Sequence, residues 1–344
     1  MTVRVAINGF GRIGRSVWRT LRARPDVRVV AVNDLADAPT LAHLLRYDTL
    51  RGRLEAPVTA RGDRILVEGE ALRVFSEPDP ARIPWSRVGV DVVLESTGRF
   101  FRRDDLVGHL AAGAHRVLLS AAGPDPDATL IWGINEHQFD PARHRIVSPG
   151  CCTTNAVAPV LAVLGEHFGV RQAQLTSIHA YDSTHSALHD GPHANPRTGR
   201  AAAVNIVPVR AGDTVRAVSA AFPALAGRFD AFAVRVPAAI GCAADLVVRV
   251  DRTTSRGEVN AALAAAAASQ FKLHLGYTEE PIVSSDILGA PESCVIDGGL
   301  TSVVDDSVKI FGWYDNEWGY ANRLADLLRL VGAVGHSANR PPAP

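Results

Sequence analysis

The run Gly9-Phe10-Gly11-Arg12-Ile13-Gly14 constrains this chain more than any other feature. It follows a compact apolar stretch, Val3–Asn8, and opens a segment (13–24) in which Val17, Trp18 and Leu21 recur at helical spacing. Glycines between a strand and a helix permit a tight turn. They also let a pyrophosphate reach the helix N-terminus, where backbone N–H groups have no partner. A second apolar strand, Val27–Asn33, ends at Asp34, about 20 residues past Gly14, where an acidic group accepts from the adenosine ribose hydroxyls. A glycine-rich turn alone often serves packing only. Here a strand before, a helix after and an acid at the right distance coincide, so the segment reads as a dinucleotide site. The carboxylate repels a 2′-phosphate, which favours NAD over NADP as cofactor.

The strand–helix rhythm continues through 91–95, a helix near 104–113, 116–120 and 145–147. That order predicts a doubly wound α/β Rossmann domain, a mostly parallel sheet covered on both faces, over residues 1–151. After Gly150 the texture changes. A helix over 152–166 precedes a long strand, 174–180, and a loop over 189–200 rich in Gly, Pro, His and Asn. Strands at 231–236, 244–250 and 308–313, with one helix at 257–270, predict an α+β domain with a mostly antiparallel sheet over 152–316. Leu324, Leu327, Leu328 and Val331 mark a final amphipathic helix. The polar, Pro-rich tail 335–344 is expected to be disordered.

Composition removes several classes of function. Thirty-six basic and 36 acidic residues cancel, so neither nucleic acid nor an anionic membrane is implied as a partner. Four cysteines, Cys151, Cys152, Cys242 and Cys294, are too few for a disulfide scaffold, and no C-x-x-C pair points to a metal. The N-terminus lacks a signal-peptide pattern, and the apolar stretch 261–268 is too short and Ala-rich to span a bilayer. A soluble, reduced, cytoplasmic protein is expected.

Gly150-Cys151-Cys152-Thr153-Thr154-Asn155 stands at the change of texture and opens a helix. A thiol there feels the helix dipole and unpaired N–H groups, which lower its pKa toward the thiolate. Most single cysteines are small buried hydrophobes, but two in a polar turn read otherwise, with Cys152 as the nucleophile. Among twelve histidines, His179 stands apart because it ends the apolar strand and can point into a cleft. It is the expected base; a histidine satisfied within the core is the alternative.

Together these residues resemble the phosphorylating glyceraldehyde-3-phosphate dehydrogenase family over about Val3 to Val331. The resemblance is carried by Ile7-Asn8-Gly9 through Arg15, Asn33-Asp34, Ser96-Thr97-Gly98, Cys152-Thr153-Thr154-Asn155, Ile178-His179-Ala180, Arg235-Val236-Pro237 and Trp313-Tyr314-Asp315-Asn316-Glu317-Trp318-Gly319-Tyr320. Erythrose-4-phosphate dehydrogenase shares most of them. The family implies that the last helix, 317–332, completes the NAD-binding domain, and that the protein is a homotetramer. By matched position it places Arg12 and Ile13 along the pyrophosphate and Thr97 and Ser120 in the cofactor cleft. Asn316 holds the nicotinamide carboxamide, and Pro192 goes with NAD preference. It implies a Cys152 thioester formed by NAD-dependent oxidation of glyceraldehyde 3-phosphate in glycolysis and released by inorganic phosphate as 1,3-bisphosphoglycerate.

The anion sites depart from the family pattern. Cys151 replaces a Ser, Asp182 replaces a Thr whose hydroxyl contacts substrate phosphate, and Ala211-Gly212 replaces a Thr-Gly for the attacking phosphate, with Arg210 just before. Pro78 stands where an Arg commonly meets the adenine side. Thr153, Thr184 and Arg235 are retained at substrate positions. An ionised Asp only accepts hydrogen bonds. Either Arg210 supplies the lost donor, or Asp182 pairs with Arg235 and the aldehyde carries less phosphate. The alternatives are therefore a paralogue using another aldehyde (erythrose 4-phosphate or a specialised-pathway one), an inhibitor-resistant isoform, or, from another class, an NAD-binding redox sensor without turnover.

Overall fold

Apolar strands alternating with helices can bury both sheet faces only by layering, and the computed structural model, which describes residues 2–182 and 189–333, shows this. Thr184 and the tail 335–344 lie outside the described residues. The chain divides into two units. One comprises Met1–Leu130, Gln138–Pro149 and the chain from Leu324; the other comprises Ile131–His137 and Gly150–Arg323.

The first unit carries β1 (Val3–Asn8), β2 (Val27–Asn33), a small ribbon of β3 (Tyr47–Asp48) and β4 (Gly52–Arg53), then β5 (Val58–Arg61), β6 (Arg64–Val67), β7 (Glu70–Phe75), β8 (Val92–Glu95), β9 (Arg116–Leu119), β10 (Ala128–Thr129) and β11 (Ile146–Ser148). Among the described residues nine strands form one sheet in the order β10-β11-β9-β8-β1-β2-β7-β6-β5. Pairing is parallel from β10 to β7 and antiparallel through β6 and β5. The helices are α1 (Arg12–Leu21), α2 (Ala38–Arg46) and α3 (Arg103–Ala111). Strand β1 is central, with Val5, Ala6 and Ile7 fully buried, as a strand covered on both faces requires. The chain leaves β1 toward β2 on one side and returns as β8 on the other. That is the switch point at which such sheets open a crevice.

A buried polar network fixes this crevice. Trp85 Nε1 donates to His109 Nδ1 at 3.0 Å, so the imidazole proton sits on Nε2, which faces Glu95 Oε2 at 3.0 Å. Glu95 also accepts from Asn8 Nδ2 at 2.6 Å, from the Thr97 N–H at 2.8 Å and from the Thr97 hydroxyl. A carboxylate this deeply buried is tolerable only when so fully hydrogen-bonded. The network holds the end of β8 against Gly9, whose φ is +89° and whose added Cβ would sit 2.6 Å from the Thr97 nitrogen.

The second unit carries β12 (Val170–Ala180), β13 (Val207–Arg210), β14 (Phe229–Val236), β15 (Cys242–Val250), β16 (Leu275–Thr278), β17 (Cys294–Asp297), β18 (Ser302–Val304) and β19 (Ser307–Tyr314). Its sheet runs β13-β14-β12-β15-β19-β17-β16, with β18 on β19. It is mostly antiparallel; β12–β14 and β16–β17 are parallel. Helices α4 (Cys152–Phe168) and α6 (Arg256–Ala268) supply Val157, Val160, Leu164, Val259 and Leu263 to a core shared with Leu175, Leu246 and Ile310 of the sheet. A shorter helix, α5 (Gly212–Ala221), packs Val218 into it. Helix α7 (Trp318–Ala333) begins in this unit; from Leu324 onward it belongs to the first, where Arg24 meets Asp326 at 2.6 Å. Among the described residues no helix is long and apolar enough to cross a membrane.

Replacing His109 with Leu should destabilise the protein by on the order of 3 kcal/mol, because it strands the Trp85 N–H and withdraws one donor from a buried carboxylate. Urea unfolding measures this; a His109→Leu midpoint equal to that of the wild type would refute the network's role.

Candidate active site

Strand β12 shows why His179 points where it does. Its core-facing side runs Ala173, Leu175, Ser177 and His179, all buried, so the two-residue period carries an apolar row into a polar end. There His179 Nδ1 lies 2.6 Å from the Ala180 carbonyl oxygen. A carbonyl can only accept, so Nδ1 carries the proton and Nε2 is left as the basic nitrogen. Nε2 lies 3.5 Å from Cys152 Sγ. The expected nucleophile and base therefore meet, across α4 and β12.

Cys152 is the first residue of α4, a helix of 17 residues with no acidic side chain in its first turn. The turn before it needs Gly150, whose φ is +72° and whose added Cβ would press on Thr154 at 3.0 Å. Tyr320 Oη donates to the Gly150 carbonyl oxygen at 2.9 Å and holds that turn. On the other side Tyr314 stands edge-on to His179, ring centroids 6.2 Å apart. Its hydroxyl meets Ser177 Oγ at 2.7 Å and Thr153 Oγ1 at 3.0 Å. Burial raises its pKa well above the usual value and keeps the phenol protonated. Thr153 thus ties the helix start to the sheet.

Cys151, the N-cap of α4, faces hydroxyls rather than the base. Its Sγ lies 3.2 Å from Thr154 Oγ1 and 3.3 Å from Thr214 Oγ1. The Cys152 thiol foremost, then these hydroxyls, pull Cys151 down to about 5 against the effect of burial. The same thiol–thiol bond, then burial, push Cys152 up, while the Arg235 charge pulls it down. Two adjacent thiols hold one negative charge more easily than two. Cys151 is the one nearer to donor hydroxyls, and a thiol whose pKa is lowered is the weaker nucleophile once ionised. Cys152 Sγ faces the ring nitrogen that can accept its proton, His179 Nε2.

Thr214 lies in the first turn of α5, so Cys151 stands where the N-terminal ends of two helices meet. Ala211 is the N-cap of α5 and Gly212 its first residue. Thr214, which the sequence did not single out, brings a hydroxyl to Cys151 beside this helix start. Arg210, considered from sequence as a donor here, has a side chain 82% exposed and paired with Asp230 at 3.1 Å. Asp182 Oδ2 lies 3.3 Å from Arg235 Nη2, the pairing considered from sequence. Parallel pairing of β12 with β14 sets His179 opposite Arg235.

The residues expected to hold the dinucleotide are in the first unit, except Asn316. Gly11 caps α1 without a side-chain bond, and the first turn of α1, with Arg12, Ile13 and Gly14, has no acidic residue. Its N–H groups thus suit a pyrophosphate. Asp34 accepts from the Phe10 N–H at 2.8 Å and the Ala36 N–H at 3.1 Å, which orients its carboxylate beside the glycine turn. Thr97 is held by Glu95, and the Ser120 N–H donates to the Glu95 carbonyl at 2.9 Å. In the second unit Asn316 Oδ1 accepts from the Gly241 N–H at 3.3 Å, which fixes the orientation of its amide. Asp315 accepts from the Glu317, Trp318 and Gly289 N–H groups and sets this turn. Among the described residues no group of three or more ligating side chains is placed to hold a metal ion.

Residues 3–103 match the family described as "Glyceraldehyde 3-phosphate dehydrogenase, NAD binding domain", and residues 151–316 match its C-terminal domain. The chain is 51% identical to glyceraldehyde-3-phosphate dehydrogenase 2 of Streptomyces avermitilis over 334 residues, covering 96% of this chain and 99% of that one. It is 50% identical to the Streptomyces coelicolor glyceraldehyde-3-phosphate dehydrogenase over 335 residues, with the same coverage. The Geobacillus stearothermophilus enzyme of that name is 45% identical over 336 residues, 97% of this chain and 100% of the relative.

Cys151→Ser removes the neighbouring thiol that most raises Cys152, so the pKa of Cys152 should fall and its alkylation by iodoacetamide should turn on at lower pH than in the wild type. Rates at Cys152 followed by peptide mass spectrometry across pH give the midpoint; an upward move would contradict the charge sharing.

Proposed function

The chain belongs to the glyceraldehyde-3-phosphate dehydrogenase family, and from that membership we propose how its residues carry out the NAD-dependent oxidation of glyceraldehyde 3-phosphate. The observation that carries the reading is the Cys152 Sγ to His179 Nε2 distance of 3.5 Å, with the imidazole proton held on the other nitrogen. His179 takes the Cys152 proton, and the sulfur attacks the aldehyde carbon to give a hemithioacetal. His179 returns that proton to the oxygen as the hemithioacetal forms, so it is neutral again and takes the hydroxyl proton back as the carbon is oxidised to a thioester. The Cys152 N–H, at the start of α4, stabilises the oxygen's developing charge. NAD, when bound, supplies the acceptor of the hydride lost in that oxidation.

Inorganic phosphate attacks the thioester carbon, and the Cys152 thiolate leaves with 1,3-bisphosphoglycerate as product. The meeting of the α4 and α5 N-termini beside Cys151, with Gly212 and the Thr214 hydroxyl, supports this region as its receiving site. Residues 1–151 with helix 317–332 serve as the NAD-binding domain and 152–316 as the catalytic one. Gly9, Gly11, Arg12, Ile13, Gly14, Asp34, Thr97, Ser120 and Asn316 are the cofactor residues. The fit to NAD is supported by the uncapped start of α1, the close packing at Gly9 and the Asp34 carboxylate.

The protein is a cytoplasmic homotetramer. Val204 and Ile206, 77% and 72% exposed, and the half-exposed Phe232 support apolar contact between copies; light scattering checks the mass.

NADH formation, followed by absorbance, should require glyceraldehyde 3-phosphate and phosphate together. His179→Asn should lower kcat by about 10²–10⁴-fold, and Cys152→Ala should abolish turnover; activity persisting in Cys152→Ala would defeat the thioester route. Thr214→Val should raise the KM for phosphate by about tenfold, the loss of one hydrogen bond to a charged group, with a smaller effect on the KM for aldehyde. Equal effects on both would remove Thr214 from the phosphate site.

A further inference from the structure

Arg235 is a buried cation in an unsettled setting. The residue is 7% exposed, stands opposite His179 in the β12–β14 register, and acts electrostatically on the Cys152 thiol. Its Nη1 reaches the Ala180 carbonyl oxygen at 3.4 Å and its Nη2 reaches Asp182 Oδ2 at 3.3 Å. Both distances are long for a guanidinium, which binds a well-matched carboxylate bidentately at about 2.7–2.9 Å. Its Nε is buried and has no partner among the described residues. This guanidinium is therefore charge-compensated without being saturated. It retains donors for a second anion, and the carboxylate it already holds is only 15% exposed.

The substrate of the proposed reaction carries a phosphate dianion three atoms from the carbon that Cys152 attacks. A dianion approaching Arg235 meets Asp182 as a competitor: it must displace the carboxylate or accept its repulsion in a poorly screened site. An aldehyde without phosphate meets no such conflict. We propose that Asp182 is a specificity-determining residue, a counter-anion built into the chain that weakens the preference for phosphate-bearing aldehydes over unphosphorylated ones. This rests on the dehydrogenase reading above and deepens it.

The competing explanation is structural, that Asp182 only neutralises a buried charge. A structural role would change stability or kcat for all substrates alike. The competition instead changes the ratio of kcat/KM between two aldehydes that differ by the phosphate.

Steady-state kinetics of the full-length wild type and of Asp182→Asn, with glyceraldehyde 3-phosphate and with glyceraldehyde at saturating NAD and phosphate, decide between them. Asp182→Asn should shift that ratio toward the phosphorylated aldehyde by about tenfold or more, the equivalent of relieving one unfavourable charge contact, and through KM rather than kcat. An unchanged ratio with both proteins active overturns the proposal and leaves the dehydrogenase reading intact. Absence of NADH from either aldehyde with the folded wild type overturns both. Should Asp182→Asn not fold, the wild type still decides. A preference for the phosphorylated aldehyde near the 10⁴-fold of a site dedicated to a polar group overturns the proposal, and a much smaller preference supports it.

Discussion

The short bond from His179 Nδ1 to the carbonyl oxygen of its own neighbour, Ala180, is the constraint on which the chemistry depends. It settles which ring nitrogen is protonated, and so which one can take a proton from Cys152. An imidazole free to flip would present a donor to the thiol half the time. The bond is available because β12 ends there: the Ala180 carbonyl also receives Arg235 at 3.4 Å, while its N–H goes to Cys242 Sγ at 3.3 Å. The backbone of one residue thus orients the imidazole and meets the cation through its carbonyl, and is held by a buried thiol through its N–H.

The first unit uses the same logic for a different end. There the Trp85 indole sets the tautomer of His109, which then donates to Glu95. In each case one ring nitrogen is committed to a fixed hydrogen bond. In both, a strand end is made rigid by a ring whose proton has one address. The difference lies in what faces the remaining nitrogen. For His109 it is a buried carboxylate, for His179 a thiol at a helix start, which suits the proposed role of base.

Much of this was legible in the sequence, and the illegible part has a common cause. The glycine turn and Asp34 could be read because strand, turn, helix and acid follow one another along the chain. His179 could be read because the period-two pattern of β12 carries an inward row to its end. Thr214 could not. It comes to Cys151 through the start of α5, a contact between distant stretches of chain that no local pattern announces. Tyr314 was visible within a distinctive run but not as the brace between Ser177 and Thr153, since that role needs β19 to pair with β15 in the observed register. The antiparallel character of the second sheet was foreseen. The parallel pairing of β12 with β14, which brings Arg235 beside His179, was not, because nothing local distinguishes it.

The place of Asp182 has a consequence for how such an enzyme can diverge. The groups that make and break bonds are locked into strand rows and helix starts, where a change disturbs the core. Asp182 comes just beyond the last residue of a strand, two positions past the peptide that does the locking. On the proposed reading, a substitution there would retune what is admitted while the reactive pair keeps its alignment. Selectivity would then be the evolvable layer of this architecture, laid over chemistry that packing makes hard to change.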